Sequence, residues 1–200
     1  TIVLGIFCFF DDTKGIKPYI KLLGQMLATI IIIKSGIKIE NIKVLENLKY
    51  QQIILNLITF IWIIGITNAI NLTDGLDGLA AGVCLIACLS LLIIFIINGS
   101  TIFSIILIIA LAGAIVGFMP YNMNPARTFL GDTGSNFLGF MIAIISIMGS
   151  AKTYTATTII APLLVLALPV FDTSFAIIRR IFKEKSLKAV FKAKNINYQV

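Results

Sequence analysis

The chain has 200 residues, 58% of them hydrophobic and 12% charged, with a mean hydropathy of +1.02 and a formal net charge of +7. Soluble domains are about half apolar and about a quarter charged, so this chain has too little polar surface for water, and lipid is its expected solvent. Its lysines and arginines lie mostly between apolar runs and at the C-terminus, with no basic stripe carrying interleaved aromatics; that pattern points to lipid headgroups as counter-charge and excludes nucleic acid as a partner.

A membrane-spanning helix needs roughly 20 mostly apolar residues. Residues 1–10 read as the end of a first span. The chain opens on Thr1 inside an apolar run, with no signal-peptide n-region, and is expected to be a fragment lacking its N-terminus. Residues 22–34, extended back to about Pro18, read as a second span, and residues 53–70, 78–97, 102–119, 135–149 and 155–171 as five more. The 135–149 run is short and is expected to draw on its flanks. Residues 35–51 are too polar to span. The expected fold is therefore all-α: a polytopic transmembrane helix bundle of about seven spans. Residues 1–171 form one membrane domain, and residues 172–200 a basic tail of the same domain.

Alternating the spans puts the connections 11–21, 71–77, 120–134 and 172–200 on one side of the bilayer. Lysine and arginine divide eleven to five in favour of that side, seven of the eleven coming from the tail. The positive-inside rule makes it cytoplasmic. All six aspartates (Asp11, Asp12, Asp74, Asp77, Asp132 and Asp172) fall on the same side, an asymmetry that positive-inside sorting does not require. Function is therefore expected on the cytoplasmic face. The chain has no histidine, which removes Ser-His-Asp and His-metal chemistry. Cys8, Cys84 and Cys88 form no CxxC pattern and read as buried thiols inside apolar helices.

Three loops carry the chemistry. In Asp11-Asp12-Thr13-Lys14 two adjacent carboxylates close an apolar helix, at the unfavourable end of its dipole, and Lys14, Lys17 and Lys21 follow. A solvated helix end is one reading; carboxylates with lysines around phosphate and a divalent metal is the other. In the run from Asn68 to Gly82, Asn71, Asp74 and Asp77 are spaced by three, which brings side chains together on a helical turn. Asp74 or Asp77 could equally cap the following helix, but one carboxylate is enough for a cap. The run from Asn122 to Ser135 places Asp132 between Gly131 and Gly134, just before an apolar helix, with Asp132 or Ser135 as the cap. Phe129 in this loop either stacks on a base or anchors the loop in the interface. Carboxylate and amide oxygens of this kind suit magnesium, which keeps waters and shares substrate phosphates. Without histidine or paired cysteines, magnesium is expected in preference to zinc.

The ordered motifs FFDDTKGIKPYIKLLGQ, NAINLTDGLDGLAAG and NMNPARTFLGDTGSNFLG resemble the polyprenyl-phosphate N-acetylhexosamine-1-phosphate transferase family. The resemblance covers nearly the whole chain. The stretch Pro169-Val-Phe-Asp172 to Arg180 looks more like the undecaprenyl-phosphate N-acetylglucosaminyl-1-phosphate transferase branch than the phospho-N-acetylmuramoyl-pentapeptide transferase branch. The resemblance implies transfer of a sugar-1-phosphate from a UDP-N-acetylhexosamine to polyprenyl phosphate, with release of UMP, in the bacterial plasma membrane. It also implies a magnesium cofactor, with manganese as a substitute, and a homodimer.

Residue by residue, the resemblance makes Asp132 the magnesium-binding aspartate, with Asn71 beside it on the metal. It places Asp11 and Asp12 near the reacting phosphates, with Asp12 the proposed base, and Lys21 on a phosphate. Asn68, Asn71, Asp74 and Asp77 fall in the nucleotide-side loop, and Asn122 and Phe129 around the uracil. One departure stands out. Where that branch carries a His-x-His-His cluster, this chain has Asn195-Ile196-Asn197-Tyr198, and asparagine cannot take a positive charge. That departure favours a catalytically impaired paralogue as the second reading. A transporter, the third, would need acidic residues within the spans, and the proposed spans contain none.

Overall fold

The computed structural model describes residues 4, 5, 7, 18–40 and 49–150. The span read at 155–171, the rest of the span read at 1–10, the loop aspartates Asp11 and Asp12, Cys8, and the tail 172–200 with Asp172 and Asn195 to Tyr198 lie outside the described residues.

The described residues form five helices: α1 Pro18–Lys34, α2 Gln51–Thr73, α3 Leu79–Ile97, α4 Ile102–Asn122 and α5 Gly131–Ser150. Each grows from an apolar run bounded by proline, glycine or polar residues. Four of them, α2 to α5, are long and apolar enough to cross a membrane, and the protein is a multi-pass membrane protein. Helix α1 has 17 residues, about 25 Å at 1.5 Å per residue, the short limit for a span. It starts at Pro18, whose missing N–H costs nothing in a first turn.

The helices outrun the apolar stretches that predict them. Helix α2 continues to Thr73, so Asn68 and Asn71 stand on its last turns and not in a loop. Helix α4 carries through Pro120 to Asn122. Helix α5 begins at Gly131, four residues ahead of the apolar run, which places Asp132 in its first turn, where the helix dipole favours a carboxylate. Neither Asp74 nor Asp77 caps α3. That position belongs to Gly78, in the left-handed region at φ 73° and with no side-chain cap. Polar residues at a membrane end are hydrogen-bonded or solvated, so the backbone stays helical after the hydropathy has fallen.

The helices run alternately up and down. The most extensive packing is α2 against α5, followed by α3 against α4, and α1 lies on α2. A Cβ on Gly139 of α5 would stand 2.8 Å from Thr67 Cα of α2. Only glycine permits that backbone approach, the small-residue contact typical of helices in lipid. The core between them is apolar, with Ile63, Ile70, Cys84, Leu91, Phe95, Ile108, Phe140 and Ile145 fully buried. Cys84 and Cys88 are free buried thiols, in line with the sequence reading. Leucine and isoleucine side chains such as Ile61, Ile86, Ile93 and Ile106 face outward along the helices, where acyl chains would meet them.

At one end of the bundle Ser100 Oγ donates to the Gly149 carbonyl at 2.7 Å and locks the α3–α4 turn to the end of α5. At the other end, the N-termini of α1, α3 and α5 meet the C-termini of α2 and α4. The polar motifs gather there.

Candidate functional site

The centre of that polar end is an ion pair. Lys21, one turn into α1, places its Nζ 2.8 Å from Asp132 Oδ1 on α5. The same ammonium donates to Asn71 Oδ1 on α2 at 3.2 Å. Both charged side chains are largely shielded, at 13% and 30% exposure, so water screens the pair less than it would at an open surface. Asn71 Oδ1 also accepts from Asn136 Nδ2 at 2.8 Å and lies 2.8 Å from Ser135 Oγ. The Ser135 hydroxyl lies 2.7 Å from the Gly131 carbonyl as well, and its single hydrogen serves one acceptor at a time.

Asp74 follows directly on α2 and is half-buried. Burial raises its carboxyl above the usual carboxylate range, and the nearby charge of Asp132 raises it further. Two carboxylates that repel each other, with an amide oxygen beside them, are the donor set of a hard divalent cation. The Lys21 ammonium already demonstrates that Asp132 Oδ1 and Asn71 Oδ1 hold a positive charge between them. Among the described residues no three acidic or thiol groups form a complete metal cage. An ion held by this set would have to take the rest of its coordination from water and phosphate oxygens.

The residues expected on the nucleotide side are arranged differently. Asp77 is exposed, and its Oδ2 accepts from Asn124 Nδ2 and from the Ala126 N–H, both at 3.2 Å. It thus ties the loop after α4 to the loop before α3. Asn122 is buried and donates to the Thr128 carbonyl at 2.9 Å, while the Tyr121 carbonyl accepts the N–H groups of Arg127 and Thr128. These bonds fold residues 123–130 into a compact loop that carries Phe129, whose ring is 69% exposed and open to a ligand or the interface.

Asn68 sits one turn below Asn71 and donates to Gln25 Oε1 at 2.7 Å and to the Ile64 carbonyl at 2.8 Å. Sequence reasoning singled out neither Gln25 nor Asn136, which the structure places directly beneath the ion pair. Their signal was an amide inside an otherwise apolar stretch, Leu22 to Ile33 for the first and Phe137 to Ile147 beside the second.

The chain is also similar to known proteins. The family model described as Glycosyl transferase family 4 matches residues 1–150. A Bacillus subtilis (strain 168) protein named "Probable undecaprenyl-phosphate N-acetylglucosaminyl 1-phosphate transferase" is 41% identical over 191 residues, covering 94% of this chain and 52% of that protein. The phospho-N-acetylmuramoyl-pentapeptide-transferase of Staphylococcus aureus (strain JH9) is 38% identical over 164 residues, 74% of this chain and 51% of its own length. The enzyme of that name from Chlamydia trachomatis serovar L2 is 48% identical over 92 residues, 45% of this chain and 27% of its own. The chain thus spans about half the length of the longer-matching relatives.

Proposed function

Because the chain belongs to glycosyl transferase family 4, we propose that it is the membrane core of an enzyme transferring N-acetylhexosamine-1-phosphate from a UDP-sugar to polyprenyl (undecaprenyl) phosphate, with release of UMP. The observation that carries this reading is the shielded cluster of Lys21, Asn71 and Asp132, with Asp74 beside it, at the end of a bundle whose outer faces are apolar. A lipid phosphate could reach such a site from the bilayer while the sugar nucleotide arrives from water. The first step of a cell-envelope glycan needs that geometry.

The chemistry is mostly positioning and charge neutralisation, because two anionic phosphates must meet. Lys21 offers an ammonium to a phosphate oxygen. Its bond to Asn71 and its ion pair with Asp132 keep that charge at the mouth of the site. Asp77 holds the 123–130 loop, where Asn122 and Phe129 would receive the uracil, Phe129 stacking on the base. Asp11 and Asp12, by their place in the first motif, belong near the reacting phosphates. A lipid phosphate is largely deprotonated at neutral pH, its second pKa being about 6 if it behaves like other phosphomonoesters. A strict base at Asp12 is therefore dispensable.

Magnesium, or manganese in its place, would be held by Asp132 and Asn71. Bound there, it would neutralise charge on the diphosphate and stabilise the departing UMP. Eleven of the sixteen lysines and arginines lie on the side of the three motifs, which supports a cytoplasmic site in a bacterial plasma membrane. Homodimerisation rests on the family resemblance.

The test is UMP release by the full-length protein supplied with UDP-N-acetylglucosamine, polyprenyl phosphate and magnesium. Release that requires all three is expected. Folded protein that releases no UMP from any of several UDP-sugars would refute the transferase reading and favour the impaired paralogue, which the Asn195-Ile196-Asn197-Tyr198 run already suggests.

A further inference from the structure

Three amide side chains beneath the ion pair form a closed network across α1, α2 and α5. Gln25 and Asn136 are fully buried, and Asn68 is half-buried. Gln25 Nε2 donates to Asn136 Oδ1 at 2.8 Å and to Asn68 Oδ1 at 3.4 Å. Asn68 Nδ2 donates to Gln25 Oε1 and to the Ile64 carbonyl. Asn136 Nδ2 donates to Asn71 Oδ1 at 2.8 Å and to the Asp132 carbonyl at 2.6 Å. Each primary amide has two N–H donors, and all six of these have a protein acceptor.

The direction of every bond is determined at the ends. The Asp132 and Ile64 carbonyls can only accept, so the atoms facing them are the nitrogens of Asn136 and Asn68. The oxygen of Asn136 must then face Gln25, and the oxygen of Gln25 must face Asn68. At the upper end the Lys21 ammonium can only donate, so Asn71 turns its oxygen toward Lys21 and Asn136. Flipping any one amide would set two donors or two acceptors against each other in a buried site. Reversal is costly because a buried polar group left without its partner bears its full desolvation penalty. Helix association alone would be served by any hydrogen bonds between the helices. Here the chain of amides ends on the backbone of Asp132 and on the side chain of Asn71, and it specifies which atom of Asn71 is presented.

We propose that Gln25 and Asn136, locked through Asn68, are positioning residues that hold the Asn71 carbonyl oxygen beside Asp132 so that the two can share a divalent cation. This rests on the reading of Asp132 and Asn71 as the cation-holding pair. Neither Gln25 nor Asn136 touches substrate. Their effect is the orientation of groups that do, as hydrogen-bonded partners do for metal ligands in general.

The test uses full-length protein in detergent, with Mn2+ as the probe and its dissociation constant read by electron paramagnetic resonance. Thermal stability, KM and kcat are measured on the same samples. Asn136→Leu should weaken Mn2+ binding by about 10- to 100-fold, and Gln25→Met, one bond further away, by less. Unchanged Mn2+ affinity in both, with only thermal stability lowered, would overturn the relay and leave helix cohesion as its role. Should Asn136→Leu fail to fold, Gln25→Glu decides. A neutral carboxyl there supplies the hydrogen that Asn136 Oδ1 needs, and an ionised one does not. A buried glutamate titrates up to about pH 8–9, so its Mn2+ affinity should fall with rising pH where the wild type's does not. A pH profile parallel to the wild type's would overturn the proposal. Wild type that binds Mn2+ without releasing UMP defeats the transferase reading alone; wild type that binds no Mn2+ defeats the relay with it.

Discussion

Replacing Gly139 by alanine should disable the site from a distance. The new Cβ would stand 2.8 Å from Thr67 Cα, 3.1 Å from the Thr67 carbonyl oxygen and 3.3 Å from that of Ile66. All three are backbone atoms, so no side chain can rotate aside. Ordinary carbon–carbon contact is about 3.5–4.0 Å, and α2 and α5 must therefore part by about 1 Å. Asn71 is one turn above Thr67, and Asn136 lies less than a turn from Gly139. The 2.8 Å bond between Asn71 and Asn136 stretched by that amount exceeds the roughly 3.2 Å limit for an N–H···O bond. Overpacking of this kind costs about 1–3 kcal/mol, and a misplacement of about 1 Å costs about 100-fold in rate. UMP release and thermal unfolding measured on Gly139→Ala should show a loss of about two orders of magnitude in kcat with the fold retained. Normal turnover, or loss of turnover only in proportion to loss of folded protein, would refute the claim that this glycine positions the site.

Asp132→Asn removes the charge paired with Lys21; turnover should fall at least about 100-fold while helix content by circular dichroism is kept, and near-normal turnover would exclude a metal role for Asp132. Asp77→Ala frees the 123–130 loop from two bonds of about 1 kcal/mol each; KM for the sugar nucleotide should rise by up to about 30-fold with kcat changed less, and an unchanged KM would mean that the loop plays no part in binding. Asp74 has its folded-state pKa raised by burial and by Asp132, so the folded protein binds more protons than the unfolded chain between the ordinary carboxylate pKa of 3.8 and the raised value. Stability should fall as pH rises through that window, and Asp74→Asn should be more stable than wild type above it, the advantage vanishing below it. Denaturation midpoints across pH check the sign, and an advantage confined to acid would contradict it.

Much of the bundle was legible in the chain because lipid reduces helix placement to apolar length. The four spans read at 53–70, 78–97, 102–119 and 135–149 each appear as a helix, displaced only at the ends. Those ends were misjudged for one reason. Hydropathy records where acyl chains stop, whereas a helix stops where its backbone hydrogen bonds do. Asn71 and Asp132 are accordingly helical and not in loops. The N-cap alternative for Asp74 and Asp77 was equally open in the sequence, and Gly78 closed it by taking the left-handed cap position itself.

By itself the sequence determined a multi-pass all-α protein and which polar motifs could meet at one end of it, because apolar runs of span length alternate direction through a bilayer. Only the tertiary structure decided which of those polar atoms touch. Lys21 and Asn71 are 50 positions apart, and Gln25 and Asn136 are 111 apart. No local pattern encodes a hydrogen bond across such distances. The helix packing, set in part by one glycine at a backbone contact, brings the amides together, and the carbonyls of Ile64 and Asp132 then give each one its direction.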